Sequence, residues 1–216
     1  MKILKIISLS KSYCTPSEVH VLKEICFEVE QGESIAIMGK SGEGKSTLLH
    51  ILGTLEKPSS GEIELLGKPL NSYFLPKLRN ENIGFIFQTF NLLEDYTLLE
   101  NMLMPAKIGR KTPDLNRAHA LLQEVGLEER ALFLTKYLSG GEKQRASIAR
   151  ALFNDPDLIL ADEPSGNLDR SNSTIIHNLL LKCVKERNKT LIVVTHDPEL
   201  AELCDRKITL KNGKLT

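Results

Sequence analysis

The run Ser34-Ile35-Ala36-Ile37-Met38 leads directly into Gly39-Lys40-Ser41-Gly42-Glu43-Gly44-Lys45-Ser46-Thr47. A short, unbroken apolar segment reads as a buried parallel strand. The residues from Lys45 to Leu52 read as a helix. Between them lies a glycine-rich turn of the form G-x-x-x-x-G-K-[ST], in the strand–turn–helix context that a phosphate loop requires. Gly39, Gly42 and Gly44 keep Cβ atoms out of the way of an approaching anion. Backbone N–H groups and the helix N-terminus then face that anion. Lys45 is placed to set a charge against the β- and γ-phosphates, and Ser46 to offer its hydroxyl to Mg²⁺. Lys40, Ser41, Glu43 and Thr47 complete the candidate ATP-binding loop. Glu43 introduces a carboxylate there: turned inward it weakens phosphate binding, turned to solvent it does not.

Two further segments carry chemistry. Leu158-Ile159-Leu160-Ala161-Asp162-Glu163 is an apolar strand ending in two carboxylates. The carboxyl edge of a parallel sheet is where such folds bind ligands. Asp162 is the candidate Mg²⁺ ligand, acting through water, and Glu163 the group that polarises an attacking water. Ser139-Gly140-Gly141 precedes a strongly helical stretch, Glu142 to Phe153. A helix N-terminus flanked by glycines is a second anion cradle. One ATP has one γ-phosphate, which the first loop already holds. The economical arrangement is therefore two chains in antiparallel array, each lending its cradle to the other's nucleotide.

The rest of the chain frames these segments. The 216 residues suffice for one large domain, and Lys plus Arg equals Asp plus Glu at 28 each. Zero net charge argues against a dedicated nucleic-acid binder. Cys14, Cys26, Cys183 and Cys204 are scattered, which points to free buried thiols rather than a zinc site or disulfides. Met1 to Leu9 is too short and too charged for a secretory signal. No apolar run approaches the ~20 residues of a membrane span. Strand-like runs at Ile3–Ser12 and Val21–Val29 are separated by Thr15-Pro16-Ser17. Lys57 to Gly61 is a break, and Ile83 to Phe87 a strand ending at Gln88. From Asn91 to Tyr137 the pattern is helical. Strand and helix then alternate: 158–161, 171–187, 190–195, 198–204 and 207–210. The expectation is an α/β fold with a mostly parallel sheet and flanking helices. Residues 1–88 and 139–216 form its core lobe, with 89–138 as an inserted helical lobe.

Leu138-Ser139-Gly140-Gly141-Glu142-Lys143-Gln144-Arg145, placed between the two nucleotide motifs, resembles the signature of ATP-binding-cassette (ABC) ATPases. The chain is similar to that family over its whole length. The resemblance implies the family's P-loop core, with antiparallel N-terminal strands, and a signature that closes over ATP held by another subunit. Gln88 resembles the Q-loop glutamine, which senses Mg²⁺ and the transmembrane partner. Asn167-Leu168-Asp169 matches the D-loop at the dimer interface. His196, after Val193-Val194-Thr195, matches the switch histidine that contacts the γ-phosphate. Tyr13 fits the aromatic that stacks on adenine, although a tyrosine there also serves as core. His20, His50, His119 and His177 match no motif and read as bland.

The stretch Leu160–Asp169 is similar to a subgroup that includes lipoprotein-releasing, macrolide- and enterotoxin-exporting, and cell-division ATPases. Gly84–Gln88, Asn91–Leu93, Leu99–Asn101, Met104-Pro105 and Gly141–Arg145 look most like its lipoprotein-releasing members. Lys40, Glu43 and Ser165 depart from the usual Pro, Ser and Thr. The resemblance implies an ATP-closed homodimer at the cytoplasmic face of the inner membrane, with a membrane subunit docking near Gln88–Tyr96. Those apolar residues serve equally as lobe core. A soluble ABC protein acting on nucleic acid or ribosomes is the competing class. It is disfavoured by the single cassette and by the absence of a coiled-coil insertion or basic arm.

Overall fold

Three strands that read as continuously apolar lie side by side at the centre of the molecule. In the computed structural model, which describes residues 1–14, 17–70 and 75–216, they are β3, β7 and β8 of a six-stranded sheet. The break expected at Thr15-Pro16 lies outside the described residues. In chain order the strands are β1 (Lys2–Tyr13), β2 (Val19–Glu30), β3 (Ser34–Met38), β4 (Ser60–Leu65), β5 (Lys68–Pro69) and β6 (Ile83–Ile86). They continue as β7 (Leu158–Asp162), β8 (Thr190–Val194), β9 (Arg206–Lys211) and β10 (Lys214–Leu215). The helices are α1 (Lys45–Leu52), α2 (Leu75–Asn82), α3 (Leu98–Ile108) and α4 (Leu115–Glu124). After them come α5 (Gly140–Leu152), α6 (Arg170–Arg187) and α7 (Pro198–Leu203).

The larger sheet runs β10-β9-β3-β8-β7-β6, parallel from β9 to β6 with β10 antiparallel at one edge. The smaller one, β2-β1-β4-β5, is antiparallel throughout. Every residue of β7 and β8 is buried, as both-face burial in a parallel sheet demands. Successive side chains on a strand point to opposite faces. Ala36, Ile159, Ala161, Leu191 and Val193 accordingly join the core shared with α3, α4, α5 and α6. Ile35, Ile37, Leu158, Leu160, Ile192 and Val194 join the core shared with α1 and the antiparallel sheet.

The expected α/β fold with antiparallel N-terminal strands is the observed one. Segment ends differ from expectation by one or two residues in most elements, the usual uncertainty of helix and strand ends. Three differences carry more meaning. Strands β4 and β5 and helix α2 were not expected, and β4 begins at Ser60, inside the expected break. In β4 only Ile63 and Leu65 point inward, so the strand has too few apolar residues to announce itself. Helix α5 begins at Gly140 rather than Glu142, because Ser139 is its N-cap. And Cys14 and Cys26 are exposed, while Cys183 is buried; all four thiols are free.

Candidate nucleotide site

The turn from β3 to α1 is shaped by its glycines. Gly42 and Gly44 have φ of 84° and 96°, where a side chain is strained. A Cβ on Gly39 would meet the Leu210 carbonyl oxygen at 2.4 Å, and one on Gly44 the Val21 Cγ1 at 2.6 Å. No side chain caps the start of α1. The Lys45 ammonium folds over its own loop, donating to the carbonyls of Gly39 (2.9 Å) and Lys40 (3.1 Å). Gly39, Lys40, Ser41, Gly42, Gly44, Lys45, Ser46 and Thr47 line one cavity of about 700 Å³. Gln88, Glu163 and His196 complete its wall, together with Val21, which the sequence did not single out. The Glu43 carboxylate turns away from this cavity and accepts the Asn212 N–H in the β9–β10 turn. It therefore sets no like charge against a bound phosphate.

The carboxyl ends of β7 and β8 supply the far side. Asp162 accepts the Ser46 hydroxyl at 3.1 Å. Burial pushes its carboxyl above the ordinary range, and Ser46 partly offsets this. Glu163 sits in the left-handed region at φ 44°, a conformation that persists only where its surroundings enforce it. Its N–H donates to the Val194 carbonyl at 2.9 Å, tying it to β8. Its Oε2 meets the His196 N–H at 3.2 Å and Nδ1 at 2.9 Å. Gln88 follows β6, and its carbonyl accepts from Asn167 Nδ2 at 3.2 Å. The next turn, with Phe90 and Asn91 at φ 58° and 51°, is held by Arg150 of α5. That guanidinium donates to the Phe90 carbonyl at 3.0 Å and the Asn91 carbonyl at 2.6 Å. Nothing local in the sequence marks Arg150 for this.

Ser139, Gly140 and Gly141 do not line the cavity. Ser139 and Glu142 form a capping box: the Glu142 N–H donates to Ser139 Oγ at 3.3 Å, and Glu142 Oε2 accepts the Ser139 N–H at 2.8 Å. Gly141 packs on α6 so closely that a Cβ would sit 2.4 Å from Asn172 Oδ1. Asn172 in turn donates to both carboxylate oxygens of Asp169, at 2.9 and 2.7 Å. These bonds hold the Asp169 carboxyl down to about 2. The glycine cradle and Asp169 are thus one patch, apart from the phosphate loop. Tyr13 also stands outside the cavity lining. Its ring is 40% exposed with Lys11 Nζ 4.8 Å from its centroid, and its hydroxyl donates to Glu56 at 2.6 Å.

A parallel sheet that delivers a glycine loop, a lysine and the Glu163 carboxylate to one cavity, with Asp162 bonded to Ser46 beside it, defines a phosphate-loop nucleotide-binding protein. The chain belongs to the ABC transporter family, whose model matches residues 22–166. It binds and hydrolyses ATP. It is 53% identical over 218 residues to the lipoprotein-releasing system ATP-binding protein LolD of Protochlamydia amoebophila, covering 99% of this chain and 96% of that one. The LolD of Cytophaga hutchinsonii is 46% identical over 217 residues, 98% of each chain. Among solved structures, the ATP-binding cassette MJ0796, in a dimeric post-hydrolysis state bound to ADP and Pi, superposes with a TM-score of 0.90. It shares 39% identity, covering 98% of this chain and 96% of that chain.

Proposed function

We propose that the chain is the ATP-hydrolysing subunit of a lipoprotein-releasing transporter, working as a homodimer that closes on ATP beneath membrane-spanning partners. One observation carries the dimer. The cavity holds Lys45, Ser46, Glu163 and His196 but not the Ser139–Gly141 cradle, which meets no phosphate site within one chain. A second, antiparallel copy places each cradle over the other's γ-phosphate. Near-full-length identity to two LolD proteins supports the lipoprotein-releasing reading.

Within the site, Lys45 exchanges its two carbonyl partners for the β- and γ-phosphates. Ser46 and Asp162 already converge at 3.1 Å, an oxygen donor set that suits Mg²⁺, and Gln88 completes it. Ser46, Asp162 and Gln88 would hold the ion, which would supply charge neutralisation for the phosphates. Glu163 orients the attacking water and accepts its proton, while His196 holds the Glu163 carboxylate now and turns to the γ-phosphate when ATP is present. Ser139, Gly140 and Gly141 donate from the opposing chain, with Asp169 beside them. Catalysis is positioning and charge stabilisation. Tyr13 supports the adenine from the cavity's edge.

Residues 89–138 act as a helical lobe inserted in the core of 1–88 and 139–216. Leu93 and Tyr96 are 41% and 45% exposed beside the turn that Arg150 holds, and membrane subunits dock there. No helix among the described residues is long and apolar enough to cross a membrane. Its similarity to LolD supports a peripheral place on the cytoplasmic face of the inner membrane. The test is affinity purification from membranes in mild detergent, with co-purifying chains identified by mass spectrometry. The expected result is a stoichiometric membrane protein with few spans and a large extracytoplasmic domain. Recovery with ribosomal or DNA-repair proteins instead would overturn the transport reading and leave the ATPase standing.

A further inference from the structure

The loops that carry Glu163 and His196 meet twice. In the cavity, Glu163 Oε2 lies 2.9 Å from His196 Nδ1. Behind it, His177 of α6 reaches both loops with a single atom. Its Nε2 is 2.9 Å from Ser165 Oγ and 3.4 Å from Asp197 Oδ2. Ser165 stands two residues after Glu163, and Asp197 directly follows His196. We infer that His177 is a positioning residue for ATP hydrolysis, clasping these two loops from the core side so that Glu163 and His196 face the same bound phosphate.

Each member of the clasp is otherwise committed. Asp197 uses Oδ1 to cap α7, accepting the Glu199 N–H at 2.8 Å, which leaves Oδ2 for the histidine. Its own N–H donates to Thr195 Oγ1 at 3.0 Å, fixing the loop at the end of β8. The Ser165 carbonyl accepts the Leu168 N–H at 3.1 Å at the start of the turn that leads to Asp169. His177 and Ser165 are 3% and 6% exposed, so this contact is made away from bulk solvent. Burial, acting against the pull of Asp197, keeps the ring neutral. A neutral ring with its proton on Nε2 donates to Ser165 Oγ, and the Asp197 carboxylate lies 3.4 Å from the same nitrogen.

The clasp matters because Glu163 is strained. A glutamate at φ 44° holds that conformation only while its neighbours enforce it, and Ser165 is the near anchor of its loop. Displacing a reacting group by ~1 Å costs about 10²-fold in rate without weakening ground-state binding. The phosphate loop, which binds ATP, is not touched by the clasp. Loss of His177 should therefore appear in kcat and not in KM.

The inference rests on the reading that Glu163 and His196 act on ATP, and Glu163→Gln is carried alongside to separate the two. The experiment compares ATP hydrolysis, ATP affinity and thermal midpoint for the full chain with its co-purifying membrane proteins. His177→Phe keeps the ring volume and deletes the contact; His177→Gln restores a donor near the Nε2 position. We expect His177→Phe to lower kcat about tenfold with KM for ATP within about twofold. His177→Gln should recover to within about threefold of wild type. Ser165→Ala should lower kcat several-fold, and add nothing in the His177→Phe background, as members of one contact do. Wild-type kcat in His177→Phe overturns the inference, as does a glutamine variant no better than phenylalanine. If His177→Phe does not fold, Ser165→Ala and His177→Gln decide: full kcat in Ser165→Ala overturns the clasp. Normal hydrolysis by Glu163→Gln would instead refute the assignment of the catalytic loops.

Discussion

The Ser46 hydroxyl donates to Asp162 across 3.1 Å, joining the first turn of α1 to the last residue of β7. This hydroxyl and carboxylate, brought together by segments far apart in sequence, are the pair proposed above to hold Mg²⁺. That contact offsets only part of the cost of burying the Asp162 carboxylate.

Burial raises the Asp162 carboxyl above its ordinary 3.8. A raised carboxylate binds protons more readily folded than unfolded. Stability therefore falls as pH rises through the window from 3.8 to the raised value, and the ionised group remains a cost at neutral pH. Asp162→Asn removes that charge and keeps an acceptor for Ser46. We expect the nucleotide-free variant to melt higher by about 2–4 °C, or ~1 kcal/mol, while losing hydrolysis. Calorimetry without nucleotide checks this. A lower midpoint than wild type would mean that the carboxylate stabilises the empty site.

Lys45 and Glu163 line one cavity but fail differently when replaced. Lys45→Ala removes the charge that meets the phosphates, so ATP affinity should fall at least tenfold, about 1.4 kcal/mol. Glu163→Gln keeps shape and hydrogen bonding but cannot take a proton. It should bind ATP near normally, lose hydrolysis by at least 10²-fold, and accumulate as a closed dimer. Equilibrium binding and size-exclusion chromatography with ATP separate the two. A Glu163→Gln protein that turns over at the wild-type rate would refute its role as base.

Gly141 tests the second cradle without touching the first. A Cβ there meets Asn172 Oδ1 at 2.4 Å. The Asn172 side chain must then turn, which breaks its Nδ2 bond to Asp169 and leaves the backbone N–H bond in place. Gly141→Ala should leave ATP binding to one chain unchanged and lower hydrolysis by about 10²-fold. Mixing it with Lys45→Ala chains should recover at most one working site per dimer. Unimpaired hydrolysis would place the cradle outside the reaction.

How far the site could be read in advance depended on how local each signal is. The phosphate loop is contiguous, so the pattern and the strand and helix around it identify each other. The cradle was legible too, but its edge was misplaced. Ser139 and Glu142 already spell a capping box, which puts Gly140 and Gly141 inside α5; reading the glycines as flanking the helix start hid it. Strand β4 escaped because only Ile63 and Leu65 face inward. Val21, Arg150 and His177 left no signal, since each gains its role from a partner on another element. His177 in particular is an ordinary core histidine until Ser165 and Asp197 are folded against it.

The base of the sheet offers a stability test independent of the site. Asp205, at the start of the turn into β9, accepts the Ser34 N–H at 2.8 Å and its hydroxyl at 2.6 Å, and its own N–H donates to Ser34 Oγ at 3.0 Å. Ser34 is 2% exposed, so Asp205→Ala leaves two buried donors without a partner. That costs about 1–3 kcal/mol. The Ser34 bonds, its side chain first, hold the Asp205 carboxyl below its ordinary 3.8. A depressed carboxylate contributes stability that is fully present above 3.8 and is lost as pH falls through the lower, folded value. The gap between wild type and Asp205→Ala should thus be widest at neutral pH and shrink below 3.8. Urea unfolding at pH 7 and pH 3 measures both ends. A gap that stayed constant would assign the cost to lost packing rather than to the charged hydrogen bonds.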